Sequence, residues 1–167
     1  MKFHNFILFL IVVGLTGCKV NYSFTGANIS PDVNTISIAT FPNYAPLAQP
    51  TLSQVFSESL KDYFVSQTSL SLVKQFGDLT IEGEIKDYRT SPLGISQNET
   101  AAENRLTIII AVRYVNTKDD SQSFEKTFSR FEDYSSAKSL SEVEDDLISL
   151  INEQLIQDIF NESVGNW

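Results

Sequence analysis

Asn104-Arg105-Leu106-Thr107-Ile108-Ile109-Ile110-Ala111-Val112-Arg113-Tyr114-Val115 is the stretch whose reading decides the fold. Leu106, Ile108, Ile110 and Val112 alternate with Thr107, Ile109, Ala111 and Arg113, the period of two that places successive side chains on opposite faces of a strand. Both faces carry apolar residues, so a central position in a sheet is expected. Downstream, Asn116-Thr117-Lys118-Asp119-Asp120-Ser121 is a polar turn, and Gln122 to Tyr134 reads as the second arm of a hairpin. In that arm Lys126 and Arg130 are in phase with Phe124 and Phe128. Charges in an apolar row suit an edge strand, where they discourage pairing with other chains. Upstream, Leu79 to Tyr88 is a further strand, with Ile81, Gly83 and Ile85 on one face and Thr80, Glu82, Glu84 and Lys86 on the other. Thr90 to Glu103, with Pro92, Gly94 and Asn98, is a long connection of the kind that carries function or moves.

Two helices flank this strand region. Leu52, Val55, Phe56, Leu60, Tyr63 and Phe64 fall on one helical face, and Thr51 with Gln54 has the capping-box pattern at its start. Val143, Leu147, Leu150, Ile151, Leu155, Ile159 and Phe160 make a wider stripe, started by Ser139 with Glu142 or Ser141 with Glu144. Glu142, Glu144, Asp145 and Asp146 in its first turns complement the helix dipole. Before the first helix, Asn34 to Phe41 reads as a short strand through Ile36 and Ile38. Pro42, Pro46 and Pro50 keep Phe41–Pro50 irregular, because each lacks an N–H and restricts its predecessor. Leu70–Gly77 is ambiguous: Ser69 to Val73 fits a short strand, and Gly77-Asp78 marks a turn.

The expected order is β-α-β-β-β-α. Two amphipathic helices need an apolar surface, and a sheet with one apolar face supplies it. The expected fold is therefore α+β, a two-layer sandwich with both helices on one face of a four-stranded mixed sheet. The β-α-β crossover joins parallel strands and the remaining pairs are antiparallel.

The chain has 167 residues with 12 Lys+Arg against 21 Asp+Glu, a net charge of −9, 42% hydrophobic and 20% charged residues. That is a globular composition. The acidic balance argues against a nucleic-acid partner, whose recognition needs a basic field. One Cys excludes an internal disulfide framework, and one His argues against a His-based metal cluster or a Ser-His-Asp triad.

Lys2 and His4 precede the apolar run Phe6 to Leu15, which is short for a bilayer span of roughly 20 residues. It reads as a secretory signal peptide. Leu15-Thr16-Gly17-Cys18 follows, with small residues before the only Cys, in the manner of a bacterial lipobox. The expected division is 1–17 signal peptide, removed; 18–34 lipidated tether and lead-in; 35–167 a single α+β domain. Lipidation is expected at Cys18. The acyl chains would tether the protein to a membrane, since each buried CH₂ contributes about 0.8 kcal/mol and stable anchoring takes more than one chain.

Residues suited to catalysis are sparse. His4 leaves with the signal peptide, and Gly77, Gly83 and Gly94 form no phosphate-cradling spacing. Glu142–Asp146 reads as an exposed helix start. Glu82 and Glu84 share a strand face roughly 7 Å apart, at about 3.4 Å per residue, which leaves a carboxylate hydrolase as the weakest reading. Lys86, Arg89, Arg105, Arg113, Lys126 and Arg130 either form a basic patch for an anionic ligand or are sheet charges paired with neighbours. The chain is thus expected to be no enzyme, with no cofactor and no metal.

Across the mature chain, Cys18 to Ala27, Ile36-Ser37-Ile38, Phe41 to Ala45, Leu60-Lys61-Asp62, Gly83-Glu84-Ile85 with Tyr88, Asn104 to Ile108 and Ile159-Phe160-Asn161 together resemble LptE, the lipopolysaccharide-assembly lipoprotein, in its Bacteroidota form. The resemblance implies two helices on a four-stranded mixed sheet. It implies an outer-membrane lipoprotein on the periplasmic side that plugs the LptD β-barrel, assists its assembly and helps deliver lipopolysaccharide to the outer leaflet. The expected partners are LptD, lipopolysaccharide and, through the acyl chains, the membrane. Only Cys18 carries over as a site residue. The alternative is a free-standing periplasmic lipoprotein that binds a glycolipid or other amphiphile. In either case Phe41–Pro50 and Thr90–Glu103 are the segments expected to touch a partner.

Overall fold

The computed structural model describes residues 29–93 and 102–165. The signal peptide, Cys18 and residues 94–101 of the long connection lie outside the described residues. The elements are β1 (Thr35–Ile38), α1 (Leu52–Gln67), β2 (Ser71–Val73), β3 (Leu79–Leu93), β4 (Glu103–Asn116), a 3₁₀ turn at Asp120–Gln122, β5 (Phe124–Ser135) and α2 (Leu140–Ser163).

The strands form one mixed sheet in the order β2-β1-β3-β4-β5. β1 is parallel to both β2 and β3, while β3-β4-β5 is an antiparallel meander. The α+β class, the two helices and the mixed sheet are as expected, but the sheet has five strands, not four. The addition is β2, taken from the ambiguous Leu70–Gly77. It is three residues long and bonds only to β1, with Leu72 left 44% exposed. So short an edge strand buries too little to show an alternating pattern. Lys126 and Arg130 do mark an edge, since β5 closes the other side of the sheet.

β3 runs to Leu93, beyond the expected end at Tyr88, and pairs with β4 through Pro92 and Leu93. Pro92 is tolerated because β1 ends far below it, so one side of β3 is an edge at that height and no N–H is required there. The register shifts between Ile85 and Asp87. That bulge places Lys86 as an extra residue and reverses the alternation. Tyr88 is therefore buried in the core, and Asp87 and Arg89 are carried to the other face.

Both helices pack on one face of the sheet and run in the same direction. α1 buries Leu52, Phe56, Leu60 and Phe64. α2 buries Leu147, Ile148, Ile151, Leu155, Ile156, Ile159 and Phe160. Leu150, placed on the stripe by its sequence spacing, is 49% exposed, whereas Ile148 and Ile156 point inward. Phe160 makes edge contacts with Tyr63 and Phe64 at ring distances of 5.2 and 5.1 Å, joining the two helices at their C-terminal halves. Each fully buried side chain of this kind contributes about 1.5–3 kcal/mol.

The two helix starts differ. At α2, the Glu142 carboxylate accepts from the Ser139 N–H and hydroxyl, both at 2.7 Å, so the Ser139/Glu142 alternative is the one used. At α1, the expected Thr51/Gln54 box is absent. Thr51 already has helical dihedrals (φ −79°, ψ −17°), which a capping side chain cannot use, and Gln54 bonds Glu58 instead. The serines of α1 hold the preceding chain. Ser57 Oγ accepts from the Phe41 N–H at 2.9 Å, and Ser53 Oγ donates to the Phe41 carbonyl at 2.6 Å. The Phe41 backbone is thus bonded on both sides just beyond the end of β1, and its ring lies over Gly83. A Cβ on Gly83 would stand 2.3 Å from the Phe41 ring and from the Ala111 carbonyl.

Between β2 and β3 the chain crosses the open face of β1. Only glycine fits at position 77, where a Cβ would lie 2.6 Å from Ser37 N and Leu79 O. Phe76 beside it takes φ +58° and is 96% exposed. For an L-residue that conformation costs about 1–2 kcal/mol. Asp78 offsets it as a clamp. Its carboxylate accepts from Asn34 N–H, Thr35 N–H and the Thr35 hydroxyl at 2.8–3.0 Å and pairs with Lys118.

Candidate functional site

Among the described residues, the helices lie on one face of the sheet. The other, left open by the described residues, is lined by Thr80, Glu82, Glu84, Asp87 and Arg89 of β3, alternate residues Arg105 to Arg113 of β4 and alternate residues Glu125 to Asp133 of β5. Its centre is partly apolar, with Ile109, Ala111 and the 45% exposed Phe131. Arg105 spans this region. Its guanidinium forks onto Asp133 at 2.7 and 2.9 Å and lies 3.5 Å from the centre of the Phe131 ring. The hydrogen bond from Arg105 holds the Asp133 carboxyl below the usual carboxylate range.

The cations singled out in the sequence do not form a patch. Arg89 pairs with Asp87, Arg105 with Asp133, and Arg113 lies between Glu125 (3.3 Å) and Glu82 (3.9 Å), all on the open face. Lys126 and Arg130 point the other way, toward α2, and bond Glu162 (2.8 Å) and Asp158 (2.6 Å). Their place in the Phe124–Phe128 row is thereby explained, since the acidic side of α2 sits opposite them. The reading as charges paired with neighbours therefore holds for five of the six.

The carboxylate cluster is structural. Glu142 caps α2, and hydrogen bonds from Ser139 hold it below its ordinary pKa. Glu144 accepts the Tyr88 hydroxyl, which burial and this bond push well above the ordinary tyrosine range. Asp145 accepts from Gln49 Nε2 at 3.2 Å, tying the Pro-rich segment to α2. Glu82 is exposed on the open face and Glu84 half-buried beside it, both lining a shallow hollow with Arg113 and Glu125. Among the described residues no group of three or more His, Cys, Asp or Glu is placed to hold a metal ion. No helix among them is long and apolar enough to cross a membrane.

One concavity lies between the helices. This cleft, about 430 Å³, is lined by Leu52, Val55 and Tyr63 of α1 and Ile148, Asn152 and Ile156 of α2, with Gln49, Asp145 and Glu153 at its rim. Asn152 is only 4% exposed, and neither side-chain polar atom has a hydrogen-bond partner. Such a group typically costs about 1–3 kcal/mol. The spacing carried a signal for it. Asn152 falls four residues after Ile148 and four before Ile156, a polar residue inside an apolar row.

Of the two segments expected to make contacts, Phe41–Pro50 presents Tyr44 and Leu47 at 66% and 74% exposure, while Phe41 itself is buried. The ends of Thr90–Glu103 are strand, and its middle lies outside the described residues, as does Cys18.

Comparison with solved structures places the same fold in other bacteria. An uncharacterized lipoprotein B from Nitrosomonas europaea superposes with a TM-score of 0.51 at 16% identity, covering 87% of this chain and 88% of that one. A minor lipoprotein from Acinetobacter baumannii gives 0.50 at 13% identity, covering 78% and 92%. A neuraminyllactose-binding hemagglutinin homologue from Helicobacter pylori gives 0.56 at 8% identity, covering 85% and 89%. At these identities the likeness is one of fold. None of the curated proteins compared matches the chain. A family model described as lipopolysaccharide-assembly, LptE, matches residues 33–163, which includes every described helix and strand. The chain belongs to the LptE family.

Proposed function

We propose that this LptE-family chain is an outer-membrane lipoprotein, anchored on the periplasmic side through acyl chains on Cys18 once residues 1–17 are removed. It sits in the lumen of the LptD β-barrel, assists the barrel's assembly and helps deliver lipopolysaccharide to the outer leaflet. The observation that carries this reading is the family match over residues 33–163. The physics supports it in two ways. A wide barrel leaves a lumen that must be filled or gated. A body entering such a lumen loses water from its surface, and an unpaired charge there is costly. The cations of β4 and β5 arrive already paired within the fold. The reading needs no catalytic group of this chain, and no cofactor enters it.

The test is purification from detergent-solubilised membranes through a C-terminal tag. A large outer-membrane β-barrel is expected to co-purify in near-equal amount. Recovery of the chain alone, or with a bound amphiphile and no barrel, would support a free-standing lipid-binding lipoprotein instead.

A further inference from the structure

We propose that the cleft between α1 and α2 is the docking site for the chain's own lead-in, residues 19–28, laid along it as an extended strand. The cleft asks for an apolar body, a neighbouring donor and acceptor, and no negative charge. Its walls are Leu52, Val55, Tyr63, Ile148 and Ile156. Asn152 offers an unpartnered carbonyl and amide side by side, the pair that a single main-chain residue meets with its own N–H and C=O. Asp145 and Glu153 stand at the rim, and among the described residues no Lys, Arg or His lines the cleft. A phosphorylated headgroup is therefore a poor occupant, because it would face carboxylates with no cation to offset them.

The lead-in has the complementary chemistry. In Lys19-Val20-Asn21-Tyr22-Ser23-Phe24-Thr25, apolar residues alternate with polar ones, so an extended strand turns Val20, Tyr22 and Phe24 to one side. Its only charge is Lys19, opposite in sign to the rim. The reach also fits. Ile29 lines a small recess with Ser163 and Val164 at the C-terminal end of α2. Asn152 lies about 18 Å back along the helix from Val164, at about 1.5 Å per residue. The seven residues from Ile29 to Tyr22 span up to roughly 23 Å. The ten from Ile29 to Lys19 span up to roughly 33 Å, against about 28 Å along α2 from Val164 to Asp145. Tyr22 thus reaches the Asn152 level when Lys19 reaches Asp145. The inference stands independently of the barrel reading.

A photo-reactive benzophenone side chain placed at position 55 (Val55→p-benzoylphenylalanine) in the full-length protein, isolated from membranes, tests it. Val55 is 47% exposed and tolerates the change. Phe131→p-benzoylphenylalanine on the open sheet face is the control. Peptide mapping is expected to find position 55 joined to residues 19–28 of the same chain, and position 131 joined to none of them. Adding Asn152→Leu should lower that yield about fivefold, the loss expected for removing a net hydrogen-bond contribution of ordinary size. Cross-links from position 55 to another polypeptide, to lipid or to no part of residues 19–28 would overturn the proposal. So would equal yields from positions 55 and 131.

Discussion

Ser57→Ala is a small change with a large expected effect. Ser57 is 1% exposed, and its hydroxyl accepts from the Phe41 N–H at 2.9 Å while donating to the Ser53 carbonyl at 2.6 Å. The Ser53 carbonyl keeps its place in the helix ladder when that bond goes. The Phe41 N–H does not, because Phe41 is fully buried and follows the end of β1. Leaving a buried donor unsatisfied costs about 1–3 kcal/mol, against about 1 kcal/mol for an ordinary hydrogen bond with a solvent alternative. The expected loss is about 2 kcal/mol. For a domain of this size that lowers Tm by about 4–8 °C. Urea unfolding followed by circular dichroism, with Ser59→Ala as the control, measures it. Ser59 lies at the cleft and holds no described strand residue, so its change should stay within about 0.5 kcal/mol. Equal stability of Ser57→Ala and the parent protein would refute the idea that the α1 serines hold the Phe41 backbone in place.

Gly83→Ala should cost about 1–3 kcal/mol by overpacking against the Phe41 ring and the Ala111 carbonyl, and its unfolding midpoint should fall accordingly. Bonds from Asn34, Lys118 and Thr35 depress the Asp78 carboxyl in the folded state. Its contribution is therefore complete above the unfolded carboxylate value of about 3.9 and is lost as pH falls toward the depressed folded value. Asp78→Asn should destabilise the protein at neutral pH and flatten the acid limb of a stability–pH profile; an unchanged acid limb would count against the clamp. Reversing Arg113 to Glu should move stability by no more than about 1 kcal/mol, since its partners are exposed. Deleting residues 95–101 should weaken barrel association or lipid transport while Tm stays near the parent value; equal loss of both would assign the segment to folding.

What the sequence made legible was what repeats at short period. The alternation from Leu106 to Val112 led to an interior strand, and the Lys126 and Arg130 phase led to an edge. The family resemblance drew on pieces scattered through the chain and matches the family found over residues 33–163. Features set by tertiary partners were not legible. β2 is defined by its bonds to β1 and not by a pattern of its own. The bulge at Lys86 reverses the faces of β3 without any local signal. Pro92 looked like a strand breaker because the free edge beside it depends on where β1 stops. The pairing of Lys126 and Arg130 needed the register of α2 against β5, which no single-strand pattern contains. Asn152 interrupts an apolar row that the helical stripe passes over, and its lack of partners emerges only once α1 lies beside it.

The role proposed for this chain is lipopolysaccharide assembly at the outer membrane. Its most direct measurement is the share of newly made lipopolysaccharide that reaches the cell surface after the protein is depleted, followed by pulse labelling and surface accessibility. Surface arrival is expected to fall in step with depletion while lipopolysaccharide accumulates inside. Arrival at the parent rate after the protein has gone would contradict it.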